Sequence, residues 1–218
     1  MNPLRAKPVE FDSEGHNLRG ILTLAESANK PGVVILHPHP LFGGNMENHV
    51  VTTLEQVFLE ASFSTLRFNF RGTTSPLHGY SGITGAIIDA MNAIDFLKSL
   101  TKVNKVGVVG YSFGASTAMR VALLKPPPFL ISLSASIDLI SNDEFDIEKL
   151  SNIECPVLLF HGKSDEMIPF DDLKLLTDKI KPEPCNSVPL EGEGHFYHRS
   201  MPFVVSTIRD FIANLYPK

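Results

Sequence analysis

The chain contains no tryptophan and only two cysteines, Cys155 and Cys185. Neither cysteine belongs to a Cys-x-x-Cys pair, so the sequence offers no disulfide framework and no cysteine motif for zinc binding or redox chemistry. We therefore expect two free thiols and a reducing, cytoplasmic location.

Long apolar runs and basic runs are also missing. The first eight residues carry charge and proline without an apolar stretch, and the later apolar stretches have the length of strands. We expect neither a signal peptide nor a membrane span. The 19 Lys and Arg residues are scattered among 24 Asp and Glu residues, for a formal charge of −5. This balance argues against a nucleic-acid partner.

Apolar side chains, in contrast, are plentiful. Hydrophobic residues make up 43% of the 218 residues, which is enough to bury the core of one domain spanning the whole chain. Short apolar runs alternate with stretches of helical periodicity, and this alternation is typical of the α/β class.

The pattern predicts a mostly parallel central sheet of about eight strands, with helices on both faces and an antiparallel first hairpin. The predicted strands are 9–12, 18–24, 33–36, 66–70, 105–110, 130–134, 157–160 and 187–190. The predicted helices are 47–61, 82–100, 113–124, 171–180 and 202–215, with one further helical turn expected between 134 and 157.

A G-x-S-x-G motif lies between a predicted strand and a predicted helix, as Gly110-Tyr111-Ser112-Phe113-Gly114. A turn this sharp puts the serine in a strained conformation and leaves no room for side chains at the flanking positions, which glycine satisfies. The pattern predicts a nucleophilic serine. The alternative is a serine that merely caps the following helix.

An acid and a histidine follow at the ends of later strands. Asp165 comes in His161-Gly162-Lys163-Ser164-Asp165 after strand 157–160, and His195 comes in Gly192-Glu193-Gly194-His195-Phe196 after strand 187–190. The carboxyl ends of parallel strands share one edge of a sheet, so these side chains are expected to converge on Ser112. The order serine, acid, histidine is the one this architecture uses.

Three other residues compete for these roles. Asp138 follows strand 130–134 and is the alternative acid. His198 lies close to His195 but near the start of the last helix, where a solvated side chain is expected. Glu166 adjoins Asp165 and should point away from it.

The chain resembles the α/β-hydrolase superfamily over nearly its full length. It is most similar to the small, lidless, dienelactone-hydrolase-like members. Besides the motifs above, the resemblance is carried by Leu36-His37-Pro38-His39-Pro40, Gly43-Gly44-Asn45-Met46 and Phe68-Asn69-Phe70-Arg71-Gly72. It implies the α/β-hydrolase fold without a lid domain.

The resemblance also implies a role for each residue. Ser112 corresponds to the nucleophile, Asp165 to the acid and His195 to the base that accepts the serine proton and returns it to the leaving group. Dienelactone hydrolase itself uses a cysteine nucleophile, and position 112 is a serine. That specific activity is therefore not implied.

An oxyanion hole needs two backbone N–H groups. One comes from the residue after the nucleophile, which is Phe113. By correspondence with the family's H-G-x pattern, the second comes from His39, with Leu41 as the alternative, because Pro38 and Pro40 have no N–H.

The histidines of this region could in principle bind a metal ion. Alternate residues of an extended segment, such as His37 and His39, tend to point apart, and no acid or cysteine completes a ligand set with His49. We expect no metal site, and we expect His37 to be a buried histidine bonded to loop backbone.

The substrate pocket is expected to be bordered by apolar side chains, namely Phe42, Tyr80, Phe113, Met167 and Phe196. The loop 73–83 departs from the related sequences after Arg71-Gly72, so its role, like that of Tyr80 within it, is the least transferable part of the resemblance.

Together these features predict a cofactor-independent serine hydrolase that acts on small carboxylic esters or thioesters through an acyl-enzyme on Ser112. A small peptidase or an acyltransferase with the same triad is the alternative within enzymes. A catalytically silent binding protein on this fold is the alternative outside them. The sequence leaves the oligomeric state and the physiological substrate open.

The segment that carries the lid in larger relatives predicts the chain-length preference. Here the span 136–156 has room for one short helix and is rich in charge, which suits a solvated face better than an apolar roof; its charged residues include Asp143, Glu144, Asp146, Glu148 and Lys149. Without a roof, each added substrate methylene gains only part of the ~0.8 kcal/mol of full burial. Measured kcat/KM should peak at acetyl to butyryl esters and fall by octanoyl. A steady rise through dodecanoyl would reveal a covered channel.

Overall fold

The computed structural model describes residues 6–25, 30–74, 79–101, 103–141, 145–180 and 185–217. Its strands are β1 Ala6–Ser13, β2 His16–Thr23, β3 Gly32–Leu36, β4 Ser64–Phe68, β5 Val106–Tyr111, β6 Leu130–Leu133, β7 Val157–Gly162 and β8 Cys185–Leu190. Its helices are α1 His49–Glu60, α2 Gly82–Leu100, α3 Phe113–Leu124, α4 Ile137–Ile140, α5 Asp171–Lys179 and α6 Met201–Leu215, with 3-10 turns at Pro40–Phe42 and Ile147–Asn152.

The strands form one eight-stranded sheet in the order β1-β2-β4-β3-β5-β6-β7-β8. β2 pairs antiparallel with both β1 and β4, and the remaining neighbours pair in parallel. This is the α/β-hydrolase arrangement, and it confirms the predicted mixed sheet with its antiparallel first hairpin.

The middle strands are buried along their whole length because helices cover both faces of the sheet. Within β3, Val34 and Leu36 pack into the core on the side of α2 and α3, whereas Val33 and Ile35 pack into the core on the side of α1 and α6. The alternation follows from the period of two in a strand. It explains the continuous apolar runs of the sequence.

All eight strands differ from their predicted bounds, by one to three residues at an end. β4 ends at Phe68 rather than residue 70. The Asn69 N–H still donates to Arg19 of β2, but the Phe70 N–H donates to His37 Nε2 instead of to a neighbouring strand. β8 begins at Cys185 rather than residue 187, since an edge strand tolerates polar residues on its exposed face.

The span 136–156 contains two short elements where one helix was expected. They are α4 and the 3-10 turn Ile147–Asn152. Residues 142–144, which include the predicted solvated Asp143 and Glu144, lie outside the described residues, as do residues 75–78 of the loop 73–83. In the part of the chain that the structure describes, no helix combines the length and apolarity needed to cross a bilayer.

Candidate active site

The turn between β5 and α3 carries Ser112 in a conformation that L-residues rarely adopt, with φ 56° and ψ −119°. A Cβ atom at Gly110 would lie 2.2 Å from the carbonyl oxygen of Gly114, and one at Gly114 would lie 2.3 Å from that of Leu36. Only glycine permits these approaches between backbone segments. They hold Ser112 at the carboxyl edge of the sheet.

The Ser112 side chain does not cap α3, so the helix-cap alternative is wrong. Its hydroxyl lies 3.0 Å from Nε2 of His195, while its N–H donates to the carbonyl of Leu133 at 2.8 Å. The serine therefore has its oxygen directed at the imidazole and its backbone held by β6.

His195 connects Ser112 to Asp165. Its Nδ1 lies 2.8 Å from Oδ2 of Asp165, so Nδ1 donates to the carboxylate and Nε2 is left to accept from the serine hydroxyl. The other carboxylate oxygen, Oδ1, accepts from the N–H groups of Met167 and Ile168, each at 2.9 Å. The structure thus brings together the three residues that the sequence selected.

The electrostatics of Asp165 favour its charged form. Burial alone would raise the pKa of this carboxyl group, but the hydrogen bonds from His195 and from the two backbone N–H groups outweigh burial and hold the pKa below its ordinary value. A charged Asp165 is what keeps the Nδ1–H tautomer of His195 in place.

The competing residues lie elsewhere. Asp138 is exposed in the first turn of α4, and Glu166 is exposed beside Asp165. His198 is exposed and its ring stacks on that of His49, with the centroids 5.6 Å apart.

The loop that carries His195 is folded around a buried carboxylate, that of Glu193. Its oxygens accept from the backbone N–H groups of Gly194 at 3.0 Å, of Arg199 at 2.8 Å and of Ser200. Burial alone would raise the pKa of Glu193, but these donors outweigh burial and lower it. In the sequence, the signal for this role is an acidic residue that lies between two glycines, two positions before His195.

Two further contacts fix the same loop. The Tyr111 hydroxyl donates to the carbonyl of His195 at 2.8 Å. The Ser164 N–H donates to the carbonyl of Glu193 at 2.9 Å, which joins the loop after β7 to the loop after β8. Asp165 and His195 are therefore positioned as one unit.

The loop after β3 folds tightly beside Ser112. The His39 carbonyl accepts from the N–H groups of Phe42 at 3.1 Å and Gly44 at 3.0 Å, and a Cβ at Gly44 would lie 2.2 Å from the Pro38 carbonyl oxygen. The N–H of Leu41, the alternative oxyanion donor, is occupied by Nδ1 of His39 at 3.2 Å.

The histidines near this loop have protein partners. His37 is buried, its Nε2 accepts from the Phe70 N–H at 3.0 Å, and its Nδ1 lies 2.6 Å from the Pro38 carbonyl. Burial lowers its pKa to about 4, so the ring stays neutral. This confirms the structural histidine that the sequence predicted. His49 Nε2 lies 2.9 Å from the carbonyl of Phe196. The described residues contain no cluster of three candidate metal ligands.

A cavity of about 340 Å³ opens directly onto Ser112 and His195. Its apolar wall is formed by six side chains: Phe42, Phe113, Leu139, Met167, Ile168 and Phe196. Four of these were predicted. Leu139, in the short helix α4, and Ile168, in the loop after β7, were missed because neither segment is long enough to show a periodicity.

Tyr80 does not line this cavity, which corrects its predicted place at the rim. Its hydroxyl lies 2.8 Å from Nε2 of His39, and His39 is itself a wall residue whose ring packs on Phe113 with the centroids 4.7 Å apart. The half-buried Tyr80 therefore contacts the wall residue His39 and does not itself face the cavity.

The sheet order, the strained serine turn and the loops at the carboxyl edge define an α/β-hydrolase. A solved α/β serine hydrolase homologue from Coxiella burnetii superposes with a TM-score of 0.83 at 27% identity, covering 95% of this chain and 97% of that one. A Xanthomonas campestris protein described as an α/β serine hydrolase without a lid shares the fold, with a TM-score of 0.82, 21% identity and coverage of 100% and 99%.

The family follows from the sequence. Residues 77–188 match the model of the dienelactone hydrolase family, and this match spans half of the chain. The chain therefore belongs to the dienelactone hydrolase family and is a hydrolase. An uncharacterized protein of Rickettsia prowazekii is 25% identical over 213 residues, which is 95% of this chain and 89% of that protein.

The substitution Glu193→Gln tests whether the Glu193 carboxylate holds the loop that carries His195. In Glu193→Gln the amide NH₂ must face backbone donors that the carboxylate oxygens now satisfy, so we expect a loss of about 1–3 kcal/mol in the free energy of unfolding and a hydrolytic kcat that falls more than KM changes. Urea unfolding and steady-state kinetics measure both effects.

Glu191→Gln is the matched control. Glu191 is exposed and pairs with Lys163, so its replacement should change the free energy of unfolding by less than about 1 kcal/mol. Equal effects of the two substitutions would mean that Glu193 does not position the loop.

Proposed function

We propose that the protein is a serine hydrolase of small carboxylic esters or thioesters, with Ser112 as nucleophile, His195 as general base and Asp165 as the residue that orients the base. The observation that carries this proposal is the hydrogen-bonded chain from Ser112 Oγ through His195 to Asp165, with distances of 3.0 and 2.8 Å. A serine hydroxyl becomes a useful nucleophile only when a positioned base can take its proton.

Acylation begins when Ser112 Oγ attacks the carbonyl carbon and its proton passes to Nε2 of His195. The bond to the leaving group then breaks, His195 gives its proton to the departing alcohol or thiol, and the acyl group stays on Ser112. In deacylation His195 takes a proton from water, the hydroxide adds to the acyl carbon, and the carboxylic acid leaves as Ser112 regains its proton.

The negative charge that develops on the carbonyl oxygen needs donors on the cavity side of Ser112. We assign them to the backbone N–H groups of Phe113, at the first position of α3, and His39. The positive end of α3 adds to the stabilisation by Phe113. His39 is preferred over Leu41 because the Leu41 N–H is engaged with the His39 ring.

A reducing, cytoplasmic setting is part of the proposal, and its support is that Cys155 and Cys185 are not joined in a disulfide. The substrate is a small molecule in this account, and no cofactor takes part. Purified protein assayed against nitrophenyl esters, thioesters and aminoacyl amides would separate an esterase from a peptidase, and from a silent binding protein.

Removing the nucleophile or the base should abolish ester turnover. We expect Ser112→Ala and His195→Ala each to lower kcat by about 10³-fold or more while circular dichroism stays unchanged, because each removes one reacting group from a solvent-facing edge. Ser151→Ala, on the exposed 3-10 turn Ile147–Asn152, is the control and should keep wild-type turnover. The assignment is wrong if Ser112→Ala retains more than about a tenth of the activity.

The acid is tested by a matched pair of aspartates. Asp165→Asn should lower kcat by roughly 10³ to 10⁴-fold, because an amide cannot hold the Nδ1–H tautomer of His195 as a carboxylate does. Asp138→Asn removes an exposed carboxylate and should have little effect. The reverse ranking in steady-state kinetics would transfer the role to Asp138.

A further inference from the structure

The wall of the cavity at Ser112 carries no formal charge. Among the described residues that line it there is no lysine, arginine, aspartate or glutamate. The polar side chains present are those of Asn48, Ser112, Ser136, Tyr111 and two histidines. Of the histidines, His195 is neutral when it serves as the base, and burial lowers the pKa of His39 and keeps that ring neutral as well.

The mouth of the cavity exposes large apolar side chains. Phe42 is 80% exposed, Met167 56% and Phe196 51%, and the adjacent Leu41 is 46% exposed. A group of exposed apolar residues around one opening is unusual in a monomeric surface and marks a place where an apolar ligand is bound. Contact with the apolar part of a substrate would cover them.

Two acidic residues adjoin wall residues of the cavity in the sequence. Glu166 precedes Met167, Asp138 precedes Leu139, and both carboxylates are exposed. The formal charge of the whole chain is −5, so its net charge does not attract an anion. The acidic residues beside the wall therefore add no attraction for an anion to a wall that carries no charge of its own.

A carboxylate or phosphate that lies in this cavity away from the Phe113 and His39 N–H groups, which serve the reacting carbonyl, would lose water without gaining a cation. Transfer of an unpaired charged group to such surroundings is far more costly than transfer of a neutral amide of the same shape. The cavity wall can therefore discriminate between substrates by charge at equal size.

We propose that this site selects uncharged esters with an apolar acyl or alcohol part and discriminates against esters that carry a negative charge within the cavity. The proposal rests on the proposed esterase function. It narrows that function from small esters in general to uncharged ones.

The test uses two acetyl esters that differ in charge and match in shape, 3-acetoxybenzamide and 3-acetoxybenzoate. We expect kcat/KM to be at least about tenfold higher for the neutral amide, since a charged group pays the larger desolvation cost. Equal kcat/KM values, or a preference for the benzoate, would overturn the proposal. Absence of turnover on both compounds and on nitrophenyl acetate would instead overturn the esterase function itself.

A cation placed in the wall makes the test specific to this cavity. Met167→Lys puts an ammonium group on the wall at an exposed position, and it should reduce the preference for the amide several-fold, whereas Met167→Gln should leave the ratio near that of the wild type. Phe42→Lys, at the most exposed wall residue, gives a second and independent version of the same test. A ratio that neither lysine variant changes would show that the selectivity arises outside the cavity, and the proposal would be wrong.

Discussion

The close approach of three backbone segments around Ser112 is the constraint on which the rest of the site depends. No Cβ atom fits at Gly110, because the start of α3 passes against it, or at Gly114, because the end of β3 passes against it. These contacts force the positive φ of Ser112 and set its hydroxyl at the edge of the sheet. The parallel order of the middle strands then brings the loops after β7 and β8 to that same edge.

Buried carboxylates satisfied by backbone N–H groups hold those loops in place. Asp165 accepts from the N–H groups that follow it, and Glu193 accepts from N–H groups on both sides of His195. Neither carboxylate needs a cationic partner, because several aligned donors stabilise the charged form. His195 is thereby fixed through its ring by Asp165 and through its backbone by Tyr111 and the Glu193 loop.

Most of the fold and the position of each proposed catalytic residue could be predicted from the sequence. Fully buried strands such as β3 and β5 leave continuous apolar runs, and the glycines around Ser112 mark a turn that only glycine allows. The structural role of Glu193 and the place of Tyr80 could not be predicted, because they depend on which loops meet across the sheet edge. The early end of β4 has the same cause, since His37 takes the Phe70 N–H from a distant part of the chain.

In the proposed mechanism the oxygen of Ser112 is activated, because its hydroxyl lies beside the imidazole of His195, which the Asp165 carboxylate orients. The most direct test is mass spectrometry of the intact protein and of its peptides after reaction with a fluorophosphonate. The predicted result is one phosphonyl group per chain, located on the peptide that contains Ser112. A chain that stays unlabelled, or a label on another residue such as Ser116, would contradict the account.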